Sequence, residues 1–220
     1  MAHIKANIKK ELLQEWRNKS AINGVLLYTT STIFVAYLAF SIRGSGISPI
    51  VWNTLFWIII LFSAINAIGK SFLQEGSDRT IYYYTVSSPQ AIIISKMIYG
   101  VLVMLLVAFL GLGIYSVLLG NPVQDQFTFF LNLFIGSVGL ATALTMISGI
   151  ASKAGNNSML MAILSFPVII PMLLMIIKTS KNAMDGIAMS ESLDEILVIL
   201  ALNAIIITLA LLLFPYLWRN

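Results

Sequence analysis

The sequence has no cysteine and a single histidine, His3, among its 220 residues. Without cysteine, disulfide bonds, thiolate metal sites and thiol catalysis are excluded. Because the histidine lies in the N-terminal segment, the hydrophobic segments contain no imidazole to act as a catalytic base or metal ligand. We therefore expect no catalytic residue, no metal site and no cofactor bound by this chain.

Charge is also scarce, since only 10% of the residues are Asp, Glu, Lys or Arg. None of them lies in the central turns of a long hydrophobic segment. Charges within the membrane usually mark proton- or ion-coupled transport. Their scarcity disfavours a self-powered secondary carrier and an intramembrane metalloprotease or aspartyl protease. Any energy for work must therefore come from another subunit.

Hydrophobic residues make up 59% of the chain, and the mean hydropathy is +0.92. These values indicate a polytopic membrane protein rather than a soluble domain. A helix needs about 20 apolar residues to cross the bilayer core. This rule predicts an all-α protein, folded as one domain over residues 1–220. The six predicted spans are 21–40, 51–68, 97–119, 127–150, 158–177 and 196–218.

The basic residues predict the orientation of the chain. If the N-terminus is cytoplasmic, only Arg43, Lys178 and Lys181, of the 13 lysines and arginines, lie outside. This distribution follows the positive-inside rule, so both termini are predicted to be cytoplasmic. We therefore interpret the net charge of +4 as topology and expect no nucleic-acid partner.

Residues 3–19 have the pattern of an amphipathic helix. Ile4, Ile8, Leu12 and Trp16 recur at i, i+4 spacing, with basic residues mostly on the other faces. This pattern predicts a helix lying in the membrane interface, anchored to the lipid bilayer by Trp16 and Arg17. The simpler alternative is that any N-terminus before a first span tends to be basic.

Residues 70–96 form the longest polar interruption between two hydrophobic segments, and we call them the coupling segment. Asp78 can cap a short helix over residues 80–85, while Ser88 and Pro89 are typical of a helix start. The helix that starts there is predicted to run through Lys96 into the third span. The segment is longer than a simple connection requires, which indicates a docking site for a soluble cytoplasmic partner. The predicted docking residues are Glu75, Asp78, Arg79, Thr80, Tyr82, Tyr83 and Tyr84.

Two other interpretations apply to this region. The three tyrosines can instead anchor the segment among lipid headgroups. Gly69, Lys70 and Ser71 match the end of a phosphate-binding loop, but Ala64 replaces the first glycine and a membrane helix replaces the strand. The chain is therefore not expected to bind ATP through this motif.

Spans 4 and 5 have features that concern helix packing. Span 4 places Gly136, Gly139 and Ala143 on one face, which allows neighbouring helices to approach closely. In span 5, Pro167 and Pro171 each remove an intrahelical hydrogen bond, which predicts a kink or a break into half-helices. A static kink and a moving gate are both compatible with this pattern.

Three further interpretations concern single residues and one loop. Trp52 and Trp57 are predicted to lie in the outer aromatic belt. Asn66 is predicted to donate a hydrogen bond to a neighbouring helix. The acidic loop over residues 179–195 is predicted to be a solvated surface.

Short motifs along the chain are similar to those of the CcmB family, the permeases of the cytochrome c maturation system. In that family the middle block usually contains Asp-Gly-Thr, a hydrophobic residue and Glu, whereas here Arg79 replaces the glycine and tyrosine stands near the Glu. The motifs that carry the resemblance are Lys10-Glu11, Glu15-Trp16-Arg17, Asn66-Ala67, Lys70-Ser71-Phe72, Glu75, Asp78-Arg79-Thr80, Ser88-Pro89, Lys96, Phe166-Pro167 and Pro171.

The resemblance implies an ABC-2 type permease that pairs with a separate CcmA-like ATPase, which holds the ATP and Mg²⁺. It also implies a CcmC-like haem-handling membrane partner and, indirectly, a CcmE-like periplasmic haem chaperone. Haem would be held by those partners. Six spans are half of the usual ABC permease, so a homodimer within the complex is expected.

Other functions remain open at the level of sequence. An ABC-2 exporter for a lipid, polysaccharide or drug has the same layout. A non-transporting membrane anchor that relays ATPase motion to a haem-handling partner also needs the coupling segment. A channel or secondary carrier would work without an ATPase.

Overall fold

A computed structural model of the chain describes residues 2–18, 20–43, 47–69, 72, 88–153 and 158–219. Of these residues 92% are helical, and none of them forms a strand, which confirms the predicted all-α class. Six helices in the described ranges are long and apolar enough to cross a membrane. The helices are α1 (Ala2–Asn18), α2 (Ser20–Arg43), α3 (Pro49–Ile68), α4 (Pro89–Leu119), α5 (Gln126–Lys153), α6 (Ser158–Met184) and α7 (Leu193–Arg219).

The predicted start of α4 is confirmed. Ser88 has an extended backbone, its hydroxyl accepts a hydrogen bond from the Ala91 N–H at 3.3 Å, and Pro89 occupies the first turn. The helix then continues without interruption through Lys96 to Leu119. Its 31 residues extend about 46 Å at 1.5 Å each, compared with about 30 Å for a bilayer core. The first turns of α4 are therefore available for contacts outside the hydrocarbon.

Short caps set the turn between α4 and α5. Gly120 ends α4 with a φ of +79°, a conformation that a side chain would disfavour. Asp125 begins α5, because its carboxylate accepts a hydrogen bond from the Thr128 N–H at 3.1 Å. Its own N–H donates to the Ala183 carbonyl at 2.9 Å, which ties the turn to the end of α6.

The prediction of a long loop over residues 179–195 is wrong. Helix α6 continues to Met184, a 3₁₀ helix spans Met189–Ser192, and α7 begins at Leu193. Only four residues, including Gly186 with a φ of +70°, separate α6 from the 3₁₀ helix. The helices extend beyond the hydrophobic runs because polar residues also form regular helix where neighbouring groups satisfy their hydrogen bonds.

Helix α5 lies at the centre of the bundle, in contact with α3, α4, α6 and α7. In the 18-residue hydrophobic stretch of α5, 83% of the residues are buried, whereas only 17% are buried in that of α2. Helix α2 packs against α3 and α4 through a small apolar cluster that includes Val25, Val103 and Val107. The amphipathic helix α1 packs along α4.

Helix α6 is continuous through both of its prolines, Pro167 and Pro171. The predicted break into half-helices is therefore not present, whereas a kink or a moving gate at these residues stays a prediction. Both prolines are exposed on the outside of the bundle. Proline rings on this side do not disturb the packing of α6 against α5.

Candidate coupling and helix-packing sites

The coupling segment begins after α3 and ends within α4, at Lys96. Of its residues, the structure describes Phe72 and those from Ser88 onward. The predicted docking residues Glu75, Asp78, Arg79, Thr80, Tyr82, Tyr83 and Tyr84 lie outside the described residues. Trp16 and Arg17 lie in the last turns of α1, and their side chains are likewise outside the described part.

Four helices, α1, α4, α5 and α7, meet around Phe72 of the coupling segment. We call the residues that make these contacts the basal cluster: Glu11, Phe72, Lys96, Ser148 and Phe214. The Lys96 ammonium lies 3.6 Å from a Glu11 carboxylate oxygen, and its side chain is only 3% exposed. Glu11 also pairs with Lys10 at 2.9 Å. An ion pair therefore links α1 to α4.

Phe72 connects the basal cluster to the rest of the bundle. The Lys96 nitrogen lies 4.6 Å from the centre of the Phe72 ring, within the range of a cation–π interaction. The same ring packs against the Phe214 ring of α7, with centroids 5.4 Å apart. The Phe72 N–H donates to the buried Ser148 hydroxyl of α5 at 3.3 Å. The cluster thus joins α1, α4, α5 and α7 around one residue of the coupling segment.

The small residues of α5 lie where neighbouring helices approach most closely. A Cβ on Gly136 would lie 3.0 Å from Ile176 of α6 and 3.3 Å from Trp57 of α3. A Cβ on Gly139 would overlap the side-chain oxygen of Asn203 and lie 2.6 Å from the Met172 sulfur. Ala143 is fully buried. These positions leave no room for larger side chains.

Buried asparagines tie the helices together. Asn132 of α5 donates to the Ile176 carbonyl at 2.8 Å and to the Ser180 hydroxyl at 2.7 Å, both on α6. Asn53 of α3 donates to the Ile177 carbonyl at 2.8 Å. Each bond gives an acceptor to an amide nitrogen that would be costly to bury without one.

A further buried asparagine links α7 to α5, because Asn203 donates to the Ile135 carbonyl at 3.0 Å. The prediction for Asn66 is wrong, since it is exposed and donates to the Phe62 carbonyl of its own helix at 3.0 Å. Sequence reasoning selected Asn66 and missed the asparagines that do bridge helices. Their only signal was a polar amide within an apolar run.

Trp52 and Trp57 are core residues, so their assignment to an outer aromatic belt is wrong. Both are buried, at 1% and 0% exposure. The Trp52 indole N–H donates to the Gly120 carbonyl at 2.9 Å, and that of Trp57 donates to Ser180 at 2.8 Å. Trp52 also contacts the Tyr115 ring edge-on, with centroids 4.8 Å apart. The indoles can lie inside because each N–H finds a hydrogen-bond acceptor within the bundle.

The acidic region after α6 is only partly a solvated surface. Asp185, Glu191 and Asp194 are exposed, as predicted. Glu195, however, is 7% exposed and pairs with Lys178 of α6 at 2.6 Å. This ion pair connects the end of α6 to the first turn of α7.

No group of three or more His, Asp or Glu side chains suited to a metal ion occurs among the described residues. Two methionines of α6 lie in the core, since Met172 is fully buried and Met184 is 3% exposed. The Met172 sulfur packs against Gly139. These thioethers therefore fill space between helices.

Comparison with known proteins identifies a family but no individual curated relative. The family model described as CcmB protein matches residues 2–216. A search of curated proteins found no match to the chain. The family match covers nearly the entire sequence and all six membrane-spanning helices. The chain therefore belongs to the CcmB family, the multi-pass inner-membrane permease subunits of haem-export ABC transporters in cytochrome c maturation.

Proposed function

We propose that this chain converts ATP hydrolysis by a CcmA-like ATPase into movement of a membrane complex that releases the haem-loaded periplasmic chaperone. Family membership carries the proposal and favours cytochrome c maturation over export of a lipid, polysaccharide or drug. The chain itself is non-catalytic in this proposal. Its membrane partner is a CcmC-like haem-handling protein, and its indirect partner is a CcmE-like chaperone.

The ATPase docks on the coupling segment between Glu75 and Tyr84. Support comes from the described residues on either side of this stretch, since Phe72 is packed in the bundle and Ser88 caps a long continuous helix. A force applied between two such fixed ends reaches α4 directly. The charges of Glu75, Asp78 and Arg79 provide contacts that a partner of complementary charge recognises.

The experiment reverses these three charges together, in the variant Glu75→Lys, Asp78→Lys, Arg79→Glu. Removing partners of desolvated charged contacts costs about 2–5 kcal/mol, so co-purification of the ATPase should fall clearly. Membrane insertion should be unchanged. The matched control reverses Lys181, Asp185 and Glu191, which are exposed at the opposite end of the bundle. Equal ATPase recovery and stimulation in both variants would reject the docking site.

We further propose that the isolated chain does not bind haem through its iron and that haem is held by the partner proteins. Axial ligands are normally His, Met, Cys or Tyr. The candidates near the outer end of α6 are Met172, Met175, Met184 and Met189, and the burial of Met172 and Met184 supports a packing role. The chain therefore acts mechanically.

An absorption spectrum of the purified chain, expressed with haem supplied, tests this proposal. We expect no stoichiometric Soret band, whereas the complex with its haem-handling partner should show one. A Soret band from the isolated chain that disappears when one Met or Tyr is replaced would overturn the proposal.

We also propose that both termini face the cytoplasm, with the coupling segment on the same side. Support comes from the distribution of Lys and Arg and from the even number of spans among the described helices. A reporter fused after Arg219 should be active only in the cytoplasm. Activity only in the periplasm would reverse the orientation and remove the coupling segment from the reach of an ATPase.

A further inference from the structure

Lys96 is an unusual lysine, because it is buried near the start of a membrane-spanning helix. Burying an ammonium group costs free energy unless charges and dipoles around it compensate. Glu11 and the Phe72 ring provide such compensation, at 3.6 Å and 4.6 Å. Glu11 and Phe72 must therefore stay close to the Lys96 ammonium for its burial to remain compensated.

Lys96 is connected to both ends of the stretch 73–87, which contains the proposed docking residues. Phe72, a member of the basal cluster, directly precedes residues 73–87, and Ser88, the cap of α4, directly follows them. Lys96 lies eight residues after Ser88, about 12 Å along α4. Lys96 thus contacts one end of the stretch through Phe72 and belongs to the helix that forms the other end.

The other contacts of the cluster lead to three different helices. Glu11 belongs to α1, which lies along α4. The Phe72 N–H is bonded to Ser148 of α5, and its ring packs on Phe214 of α7. A displacement of Phe72 relative to Lys96 therefore changes contacts with α4, α5 and α7, and Lys96 connects this group to α1.

We propose that Lys96 is a positioning residue that fixes α1 and Phe72 to the first turns of α4, so that movement of the coupling segment displaces these elements together. This proposal rests on the proposed docking of an ATPase to the coupling segment. Lys96 does not bind the ATPase in this proposal. It determines whether the movement caused by ATP hydrolysis is transmitted from the coupling segment to the helices.

The first experiment compares Lys96→Met, which keeps the length and apolar stem of the side chain, with Lys96→Arg, which keeps the charge. In Lys96→Met we expect unchanged ATPase co-purification but at least about a fivefold loss of ATPase stimulation by the permease, the lower end of typical coupling effects. Lys96→Arg should restore most of the stimulation. Lys181→Met is the matched control, because it removes a lysine from an exposed ion pair.

The outcomes separate the two proposals. Failure of the charge reversal at Glu75, Asp78 and Arg79 to release the ATPase rejects the docking site, whatever Lys96 does. Normal stimulation in Lys96→Met, or loss of ATPase binding in that variant, rejects the positioning role. If Lys96→Met does not accumulate in the membrane, Glu11→Gln and Phe72→Leu test the same contacts and should show the same uncoupling; normal stimulation in both would reject the role.

A second experiment measures the position of α1 without any ATPase. The chain has no cysteine, so spin labels can be attached specifically at Lys9→Cys on α1 and Ile98→Cys on α4, both exposed sites. The distance distribution between the labels should broaden in Lys96→Met and return to the wild-type distribution in Lys96→Arg. A distribution that is unchanged in Lys96→Met would overturn the proposal even if stimulation were reduced.

Discussion

Asn132 and Asn66 carry the same side chain but make different contacts. Asn132 is fully buried and donates two hydrogen bonds to α6, whereas Asn66 is exposed and donates one to its own helix. The Ser180 hydroxyl that accepts from Asn132 also accepts from the Trp57 indole. At the scale of the residue, stability therefore depends on where the amide lies rather than on its presence.

The replacement Asn132→Leu should destabilise the bundle, and Asn66→Leu should not. Hydrogen bonds between membrane helices contribute about 0.6–1.7 kcal/mol in double-mutant cycles, so we expect a loss of about this size at Asn132. Asn66→Leu removes only a contact within one helix. The measurement is the free energy of unfolding in mixed detergent micelles. Equal values for the two variants would contradict the assigned contacts.

A second pair of variants tests the close packing of α5. A Cβ on Gly139 meets Asn203 and Met172, and Asn203 is held by its bond to the Ile135 carbonyl. Gly139→Ala should therefore cost about 1–3 kcal/mol, as overpacked sites do. A Cβ added to Gly113 of α4 would meet no other described residue within 4 Å, so Gly113→Ala should be neutral or slightly stabilising. The same unfolding measurement checks both, and a neutral Gly139→Ala would contradict the packing.

At the scale of the element, caps decide where the helices begin. Ser88 and Asp125 each accept a hydrogen bond from a backbone N–H in the first turn of the helix that follows. The side chain and the backbone N–H of Thr128 stabilise the Asp125 carboxylate and lower its pKa. Protonation of this group therefore weakens the start of α5.

The lowered pKa of Asp125 predicts a pH dependence with a definite sign. A carboxyl whose pKa is lower in the folded state contributes stability above its unfolded pKa of about 3.9. That contribution is lost as the pH falls through the lower folded value. Asp125→Asn keeps a capping oxygen but does not titrate. We therefore expect the melting temperature of the wild type, measured relative to that of Asp125→Asn, to be lower at about pH 3 than at about pH 6. The same difference in melting temperature at both pH values would contradict the capping role of Asp125.

At the scale of the whole molecule, six spans form half of a usual ABC permease. We therefore predict a complex with two copies of this chain and two ATPase subunits, related by a twofold axis as in most homo-oligomers. Native mass spectrometry of the purified complex measures the stoichiometry. A single copy of the chain for each ATPase pair would contradict this prediction.

Much of the basal cluster and of the packing core could not be predicted from the sequence. Glu11 and Lys96 are far apart in the chain, and nothing in the local pattern indicates that α1 lies along α4. Glu195 looked like one more carboxylate in an acidic loop, although it is buried against Lys178. Contacts of this kind depend on which helices become neighbours, and that choice is made by packing throughout the bundle.

The sequence by itself determined the number and type of the spans, the caps of α4 and the all-α class. It did so because a helix in lipid must satisfy its own backbone hydrogen bonds, so length and hydrophobicity suffice to define it. Only the tertiary structure decided which face of each helix meets protein and which meets lipid. Both environments are apolar, so hydrophobic residues suit either, and Trp52, Trp57 and Asn66 could be placed only by the helices packed around them.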